Sequence, residues 1–339
     1  MLLSDFDLPF DPALVATQPV EPRDHARLLV CDRSGAGLRH HRVWNLPELL
    51  APGDLVIVNN SKVVPARLHG TKRPGGGRVA FVVTAVRPDG LCQVLLKGRF
   101  RRGQMIELAE GATAEVVERS AESTMVKLTG PCPLPELLDR IGDMPLPPYM
   151  KRDPIPEDRQ WYQTVFAEPK GSIAAPTAGL HFTAGLLNAL AGRGVRTASI
   201  TLHVGPGTFL PVRAAQIEAH RMLPEWYTIP QETMTAIAST KSAGGRVIGV
   251  GTTVVRALES AVSIEGTAPA MSSETSLYIT PGYRFQVIDG LLTNFHLPRT
   301  TLAMLVAAFV GLDRLRALYN EAVRQRYRFY SYGDAMLIL

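Results

Sequence analysis

The apolar positions of this chain fall into two textures that follow one another. From Asp54 to Asn59 the run DLVIVN is almost continuously apolar after a Pro-Gly turn, which predicts a buried strand. Between Val63 and Lys127 the runs shorten to VAFVVTAV, LCQVLL, QMIELA, TAEVVE and TMVKL, split by turn signals such as PGGG at Pro74–Gly77 and PDG at Pro88–Gly90. Several short strands at close spacing predict a small barrel or sandwich. A proline-rich stretch, MPLPPYMKRDPIPEDRQ from Met144 to Gln160, suits neither helix nor central strand. It reads as a connector between domains or as a loop closing over a site.

After Trp161 strands and helices alternate. Thr183 is placed to cap a helix that carries Leu186, Leu187 and Leu190 on one face. VRTASITLHV predicts a strand, and Pro230 opens a helix running to Ser242. RVIGVG predicts a strand leading into TTVVRALESAV, a helix with Val254, Val255, Leu258 and Val262 on one face. Thr300 to Val310 and Asp313 to Arg324 predict two more helices. The fold class is therefore α/β with a β-rich insertion.

Composition adds little to this picture but bounds it. The chain has 339 residues, 46% hydrophobic and 20% charged, enough for two domains or one domain with an insertion. The net charge of +5 and a pI of about 9.2 are compatible with a polyanionic partner without requiring one. Three cysteines, Cys31, Cys92 and Cys132, show no C-x-x-C spacing, so neither a disulfide framework nor a thiolate zinc site is expected. The acidic start lacks the basic region of a signal peptide, and the longest apolar run, Leu302 to Leu312, falls short of the roughly 18 residues that span a bilayer. A cytoplasmic protein is expected, with no membrane contact.

Candidate chemistry sits on five loops that combine Gly or Pro with polar side chains: Asn59–Gly70, Ala175–Thr183, Thr201–Phe209, Gly249–Ser260 and Leu292–Thr301. Gly251, Thr252 and Thr253 follow a strand and open a helix, where free N–H groups suit a carboxylate or phosphate. With Val254 at the third glycine position this is not a dinucleotide fingerprint, and a capped strand-to-helix turn explains it as well. Arg256 and Glu259, three apart on that helix, are either a surface ion pair or a flank of the site. His181, His203 and His296 each lie beside such a turn, able to act as acid, base or donor, although any one of them can simply satisfy a buried carbonyl. No histidine spacing suggests a metal site, and neither a nucleophile elbow nor a Walker loop is present. Basic residues cluster at Arg67, Lys72, Arg73 and Arg78, at Lys97, Arg99, Arg101 and Arg102, and from Arg314 to Arg328, as solvated faces or as phosphate contacts.

Taken together the loops resemble the S-adenosylmethionine:tRNA ribosyltransferase-isomerase family of queuosine synthesis. The resemblance runs from FDLP at Phe6 through PGDLVIVNNSKVVPARL, APTAGLHFT, LHVGPGTFLPV, GVGTTVVRALES and PGYRFQVIDGLLTNFHLPRTTLAMLVAAF to the terminal YRFYSYGDAMLI, essentially the whole chain. It implies a larger α/β-barrel-like catalytic domain, residues 1–61 and 145–339, with a small β-barrel domain, 62–144, inserted. It implies transfer and isomerisation of the ribosyl part of S-adenosylmethionine onto 7-aminomethyl-7-deazaguanine at the tRNA wobble position, giving epoxyqueuosine-tRNA, adenine and methionine. S-adenosylmethionine is then a consumed co-substrate, with no bound cofactor and no metal, and the protein is expected to be a monomer.

Under that resemblance the base is expected at His181 or His296, with the other or His203 donating to the leaving groups. Gly251–Thr253 and Arg256, with Glu259 beside them, are candidates for the methionine carboxylate. Asn59, Asn60, Asn294 and Thr177 are candidates for ribose hydroxyls or the deazaguanine edge, and Arg67 for tRNA phosphates. The sequence departs from the family pattern at Leu223, where a second histidine is usual, so His220 receives no catalytic role. It departs again in RVAFVV and LLKGRFRRG of the barrel. Two other readings compete: a non-catalytic RNA-binding protein of the same architecture, and an S-adenosylmethionine methyltransferase, disfavoured because no acidic residue precedes the glycines.

Overall fold

A computed structural model describes residues 1–33, 37–120, 123–262 and 271–339. The chain forms two compact units. The larger comprises residues 1–62, 163–169 and 175–339, and the smaller residues 63–162 and 170–174. The smaller unit thus reaches past the expected 62–144. The proline-rich stretch belongs to it because Met144, Leu146 and Met150 are buried and Arg159 donates to the Gly142 carbonyl at 2.6 Å.

The architecture is α/β with a small closed β-barrel. In the smaller unit six antiparallel strands close in the order Thr124–Thr129, Leu91–Leu96, Arg78–Val86, Arg67–Arg73, Met105–Leu108 and Thr113–Arg119. Alternate residues point inward, so Leu68, Phe81, Val83, Val94, Ile106, Val116 and Val126 fill the barrel. Closure leaves no unpaired edge. Five of these strands coincide with the short β-like runs in the sequence. Arg67–Arg73 was not expected as a strand, since its reading RLHGTKR keeps only Leu68 inside.

The larger unit is built on nine strands in the order Ser272–Thr275, Glu225–Thr228, Arg196–Leu202, Leu55–Asn59, Val247–Val250, Gly290–Asn294, Ala335–Ile338, Arg27–Cys31 and Leu38–Arg42. The central strands Leu55–Asn59, Val247–Val250 and Gly290–Asn294 are buried along their whole length, which is why they read as unbroken apolar runs. Arg196–Leu202, Leu55–Asn59, Val247–Val250 and Gly290–Asn294 are mutually parallel, so their C-terminal ends share one edge of the sheet. Ala335–Ile338 runs antiparallel to Gly290–Asn294 and parallel to Arg27–Cys31. The N-terminal ends of those two strands therefore arrive at the same edge. That edge collects the polar loops.

The helices form where the apolar spacing places them. Thr183 caps Ala184–Gly192 by accepting from the Leu186 N–H at 3.0 Å, with Leu186 and Leu190 buried. Pro230 precedes Gln231–Ser242, and Thr300 caps Thr301–Val310. Gly311 separates that helix from Leu312–Arg324. Near the chain end Phe295, Tyr319, Tyr327 and Phe329 form a fully buried aromatic cluster with ring centroids 5.2 to 5.8 Å apart. Among the described residues no helix is long and apolar enough to cross a membrane.

Gly251 turns the chain from Val247–Val250 into Thr252–Val262 at φ +89°, with its N–H on the Leu292 carbonyl at 2.8 Å. A Cβ there would meet Ala178 Cβ at an ordinary 3.5 Å, so the cost of a side chain is backbone strain rather than collision. Gly251→Ala is expected to lower stability by about 1–2 kcal/mol in urea denaturation. A loss below about 0.3 kcal/mol would show that the turn relaxes freely.

Candidate active site at the strand ends

Asn294 ends the strand Gly290–Asn294 and is 1% exposed. Its Oδ1 accepts from the Thr177 hydroxyl at 3.1 Å. The Tyr330 carbonyl can only accept, so the bond it receives from Nδ2 at 3.1 Å orients the amide and turns Nδ2 toward His181 Nε2 at 3.1 Å. One side chain so ties the Thr177–His181 turn to the Tyr330 segment. Because Nε2 of His181 accepts, its proton resides on Nδ1. Burial, reinforced by the nearby positive charges of Arg328 and Arg23, pushes the His181 pKa down to about 3. The ring is neutral at pH 7, with Nε2 occupied and Nδ1–H as its donor.

Asn59 ends the parallel strand Leu55–Asn59, on the far side of Val247–Val250, and is likewise 1% exposed. Its Oδ1 accepts from the Leu202 and Ser61 N–H groups at 3.0 and 3.1 Å. Its Nδ2 donates to the Leu202 carbonyl at 2.9 Å and to Thr253 Oγ1 at 3.3 Å. Asn59 therefore locks two strand ends to the start of the helix Thr252–Val262. Asn60 accepts from the Thr201 hydroxyl at 2.7 Å. Ala178, in the turn that carries His181, packs beside Gly251. Thr177, His181, Gly251, Thr253, Asn59 and Asn294 are thus linked through direct contacts along one sheet edge. In open α/β sheets that edge is where ligands bind.

His203 follows the strand Arg196–Leu202 at the same edge. Burial lowers its pKa, and its Nδ1 is buried with no hydrogen-bond partner. Such an orphaned nitrogen costs stability unless something binds it. His296 is held differently. Its Nε2 lies 2.8 Å from the Thr293 hydroxyl, and its backbone N–H and carbonyl both bond the Tyr319 hydroxyl at 2.8 and 2.9 Å. Burial pushes its pKa down to about 4.

The charged pair on the helix is not where the spacing suggests. Arg256 is 5% exposed and does not face Glu259. Its guanidinium pairs with Glu225 and donates to the Leu277 and Thr275 carbonyls at 3.0 and 3.3 Å. Each of its three nitrogens donates to a protein oxygen, so the guanidinium is bound to the scaffold. Glu225, which also accepts from the Gly205 N–H at 2.9 Å, carried no signal in the sequence beyond lying in an apolar stretch. Glu259 is fully buried and accepts from Gln286, Val287 and Ile288 N–H groups at 2.9 to 3.1 Å and from the Tyr283 hydroxyl at 3.2 Å. It anchors the segment that feeds the strand Gly290–Asn294. Arg67 lies in the barrel unit, where its guanidinium faces Asp153 at 3.4 Å. In that unit Arg99, Arg101 and Arg102 are exposed, and Lys72 and Arg119 stand over the Phe100 ring at 4.0 and 5.5 Å.

Arg23, which no motif singles out, and Arg328, the last residue of the C-terminal basic cluster, both reach the His181 side of the edge. With Leu180, His181, Ser331 and Tyr332 they line a small recess of about 210 Å³ counting its open mouth. The signal that marks Arg328 is its place in the terminal YRFYSYGD run, which carries too many polar groups for a strand.

The depressed His181 pKa has a stability consequence of definite sign. Between about pH 3 and the ordinary histidine value of 6.5 the unfolded chain binds a proton at this position that the folded chain does not. Stability is full above pH 6.5 and falls as pH drops, by up to about 1.4 kcal/mol per pH unit from this residue. His181→Gln is expected to flatten the dependence of urea-unfolding free energy between about pH 6.5 and 4.5 by roughly that slope. A variant as steep as the wild type would mean that His181 is not held neutral.

Residues 3–338 match the family of queuosine biosynthesis proteins. The S-adenosylmethionine:tRNA ribosyltransferase-isomerases of Citrifermentans bemidjiense and Aquifex aeolicus are 47% and 48% identical to the chain, and each alignment covers all of both proteins. The crystal structure of S-adenosylmethionine tRNA ribosyltransferase from Thermotoga maritima is similar at a TM-score of 0.58 and 34% identity, covering 99% of this chain and 100% of that one. The chain belongs to the queuosine biosynthesis family.

Proposed function

We propose that this family member transfers and isomerises the ribosyl moiety of S-adenosylmethionine onto 7-aminomethyl-7-deazaguanine at the tRNA wobble position. The products are epoxyqueuosine-tRNA, adenine and methionine, and S-adenosylmethionine is consumed as co-substrate rather than held as cofactor. The names of the relatives support the reaction class. The observation that carries the reading for this chain is the linked set of Asn59, Thr253, Thr177, His181 and Asn294 at the ends of parallel strands, with the unpartnered His203 nitrogen on the same edge.

The chemistry needs a base, a donor and a grip on each substrate. A sulfonium acidifies the adjacent C5′ hydrogens, so a positioned base removes one. Adenine leaves with the electron pair of its glycosidic bond and takes up a proton. The aminomethyl nitrogen bonds a sugar carbon, and methionine departs with the electron pair of the sulfur–carbon bond as the epoxide closes. His203 suits the base, since its Nδ1 is buried and bonded to nothing among the described residues. His181 suits the donor, because Asn294 occupies Nε2 and leaves Nδ1–H to meet the departing adenine. His296 suits a supporting role, with its backbone pinned by Tyr319 and its ring on Thr293. Thr252 and Thr253 at the helix start suit the ribose hydroxyls, and the exposed arginines of the barrel suit tRNA phosphates.

The test is one incubation of the protein with labelled S-adenosylmethionine and tRNA bearing the deazaguanine base. Release of adenine and methionine is the expected result. Formation of S-adenosylhomocysteine would mean methylation instead, and neither product would mean an RNA-binding protein without this activity. His203→Ala and His181→Ala are each expected to lower kcat by about 10²-fold or more, with His296→Ala affecting stability more than turnover. Near-normal turnover in the His203 and His181 variants would remove both roles.

A further inference from the structure

The row of residues that holds Asn294 continues past the linked set. Ladder pairing carries it from Asn294 through Ala335 and Leu28 to His41, so the end of the outermost strand, Leu38–Arg42, arrives at the same edge. Three strand spacings separate Asn294 from His41, about 14 Å. Trp44 stands two residues beyond that strand and is 42% exposed. We infer that Trp44, with Arg42 over its ring, receives an unstacked anticodon-loop base of the tRNA whose wobble base is modified at this edge. This rests on the reading that a tRNA wobble base is the acceptor.

The indole is held in place by its neighbours. Val43 is fully buried and its N–H bonds the Ala26 carbonyl at 2.9 Å, which anchors the chain immediately before Trp44. The Arg42 N–H donates to Asn45 Oδ1 at 3.1 Å and closes the turn that carries the indole. The His25 ring meets Trp44 edge-on, with centroids 4.1 Å apart. Arg42 Nη1 donates to the His25 carbonyl at 2.5 Å, which holds the guanidinium 5.3 Å from the indole centroid. Asp24, the residue before His25, accepts from the Thr183 hydroxyl at 2.6 Å. Thr183 follows His181 by two residues, so a short run of contacts joins Trp44 to the turn that carries His181.

A single exposed aromatic is an ordinary surface feature, and charge decides what this one suits. Arg42 pairs with no carboxylate among the described residues, whereas Arg39 on the same strand faces Asp32 at 3.7 Å. The second well-exposed tryptophan, Trp226 at 49%, lies opposite the exposed Glu274 in its strand pair. A polyanion is therefore favoured beside Trp44 and opposed beside Trp226. An indole face next to an unpaired arginine suits single-stranded RNA, with a base on the ring and a phosphate on the guanidinium. The adenine of S-adenosylmethionine offers a similar face, but the linked set begins three strands away at Asn294. A loop nucleotide near the wobble base fits that separation, and the co-substrate does not.

The intact protein is titrated with anticodon stem-loop RNA carrying the deazaguanine base, and with copies in which one loop nucleotide at a time is abasic. Wild type, Trp44→Ala, Trp44→Phe and Arg42→Gln are compared. Trp44→Ala is expected to weaken the intact RNA by about 5- to 100-fold, and Trp44→Phe by less than about threefold because a ring face remains. S-adenosylmethionine binding is expected to change less than about twofold in both. At one loop position the abasic RNA is expected to bind wild type about as weakly as Trp44→Ala binds the intact RNA, with less than about a twofold further loss in that variant. Arg42→Gln is expected to lower the slope of log affinity against log salt by about one, a slope that Trp44→Ala leaves unchanged. Undiminished affinity in Trp44→Ala, equal loss in the Ala and Phe variants, or no abasic position coupled to Trp44 overturns the platform. Parallel loss of S-adenosylmethionine binding overturns it too, since the indole then serves the co-substrate or the fold of the edge. Binding is read without turnover, so any of these failures leaves the reaction standing when the wild type releases adenine. Coupling in a protein that releases no adenine keeps the platform and removes the reaction. Should Trp44→Ala not fold, Trp44→Leu, which keeps apolar cover over His25 without a ring face, carries the same comparison.

Discussion

The site depends on the side-chain amide of Asn294. Its carbonyl receives the Thr177 hydroxyl, and its two N–H groups serve His181 and the Tyr330 carbonyl. Both N–H groups are used, and the carbonyl accepts one bond. An amide buried in that way is nearly neutral in energy while fully paired and costs about 1–3 kcal/mol for each group left unpaired. The three partners come from separate stretches of chain, so the amide specifies their relative placement as well as joining them. It also sets chemistry, because the acceptor-only Tyr330 carbonyl determines which end of the amide meets His181 and therefore which ring nitrogen carries the proton. A backbone carbonyl on the far side of the amide decides the tautomer of the histidine.

Asn59 repeats the arrangement two strands away, with Leu202, Ser61 and Thr253 as partners. Parallel strands end with carbonyls and N–H groups that no further ladder partner can take, and a short amide at the last position serves them. Both asparagines stand at such ends, on strands buried along their whole length. The charged residues of the adjoining helix do a related job. Arg256 and Glu259 sit on one helix, yet each turns to a different loop: Arg256 to Glu225 and two carbonyls, Glu259 to three backbone N–H groups. Breaking either interaction would strand a buried charge, so both residues are bound to the scaffold.

Much of this was legible in the residues. The continuous run Leu55–Asn59 and the RVIGVG strand announced themselves by burial on both faces, Thr183 and Pro230 by helix-start chemistry, and the barrel by its alternating runs and turns. Leu38–Arg42 was not legible, because LRHHR at the sheet edge is exposed and has no apolar face to show. Ala335–Ile338 is too short for a period to emerge beside the polar YRFYSYGD run. The helical spacing of Arg256 and Glu259 was read correctly as spacing, but spacing reports which residues share a helix face and not which loop covers it. Arg23 and Arg328 could not be paired at all from sequence. They lie 305 residues apart, and only the parallel pairing of Leu28 with Ala335 makes them neighbours.

That long-range neighbourhood gives the histidine and the arginines a mutual dependence. The positive charges of Arg328 and Arg23 contribute to keeping His181 neutral, after the larger effect of burial. Any anion placed between the arginines and the ring offsets that contribution and makes a proton on His181 less costly. By linkage, a proton developing on His181 must then strengthen the hold on the anion by the same free energy. The charge around His181 therefore sets its proton affinity without movement of the scaffold that Asn294 fixes.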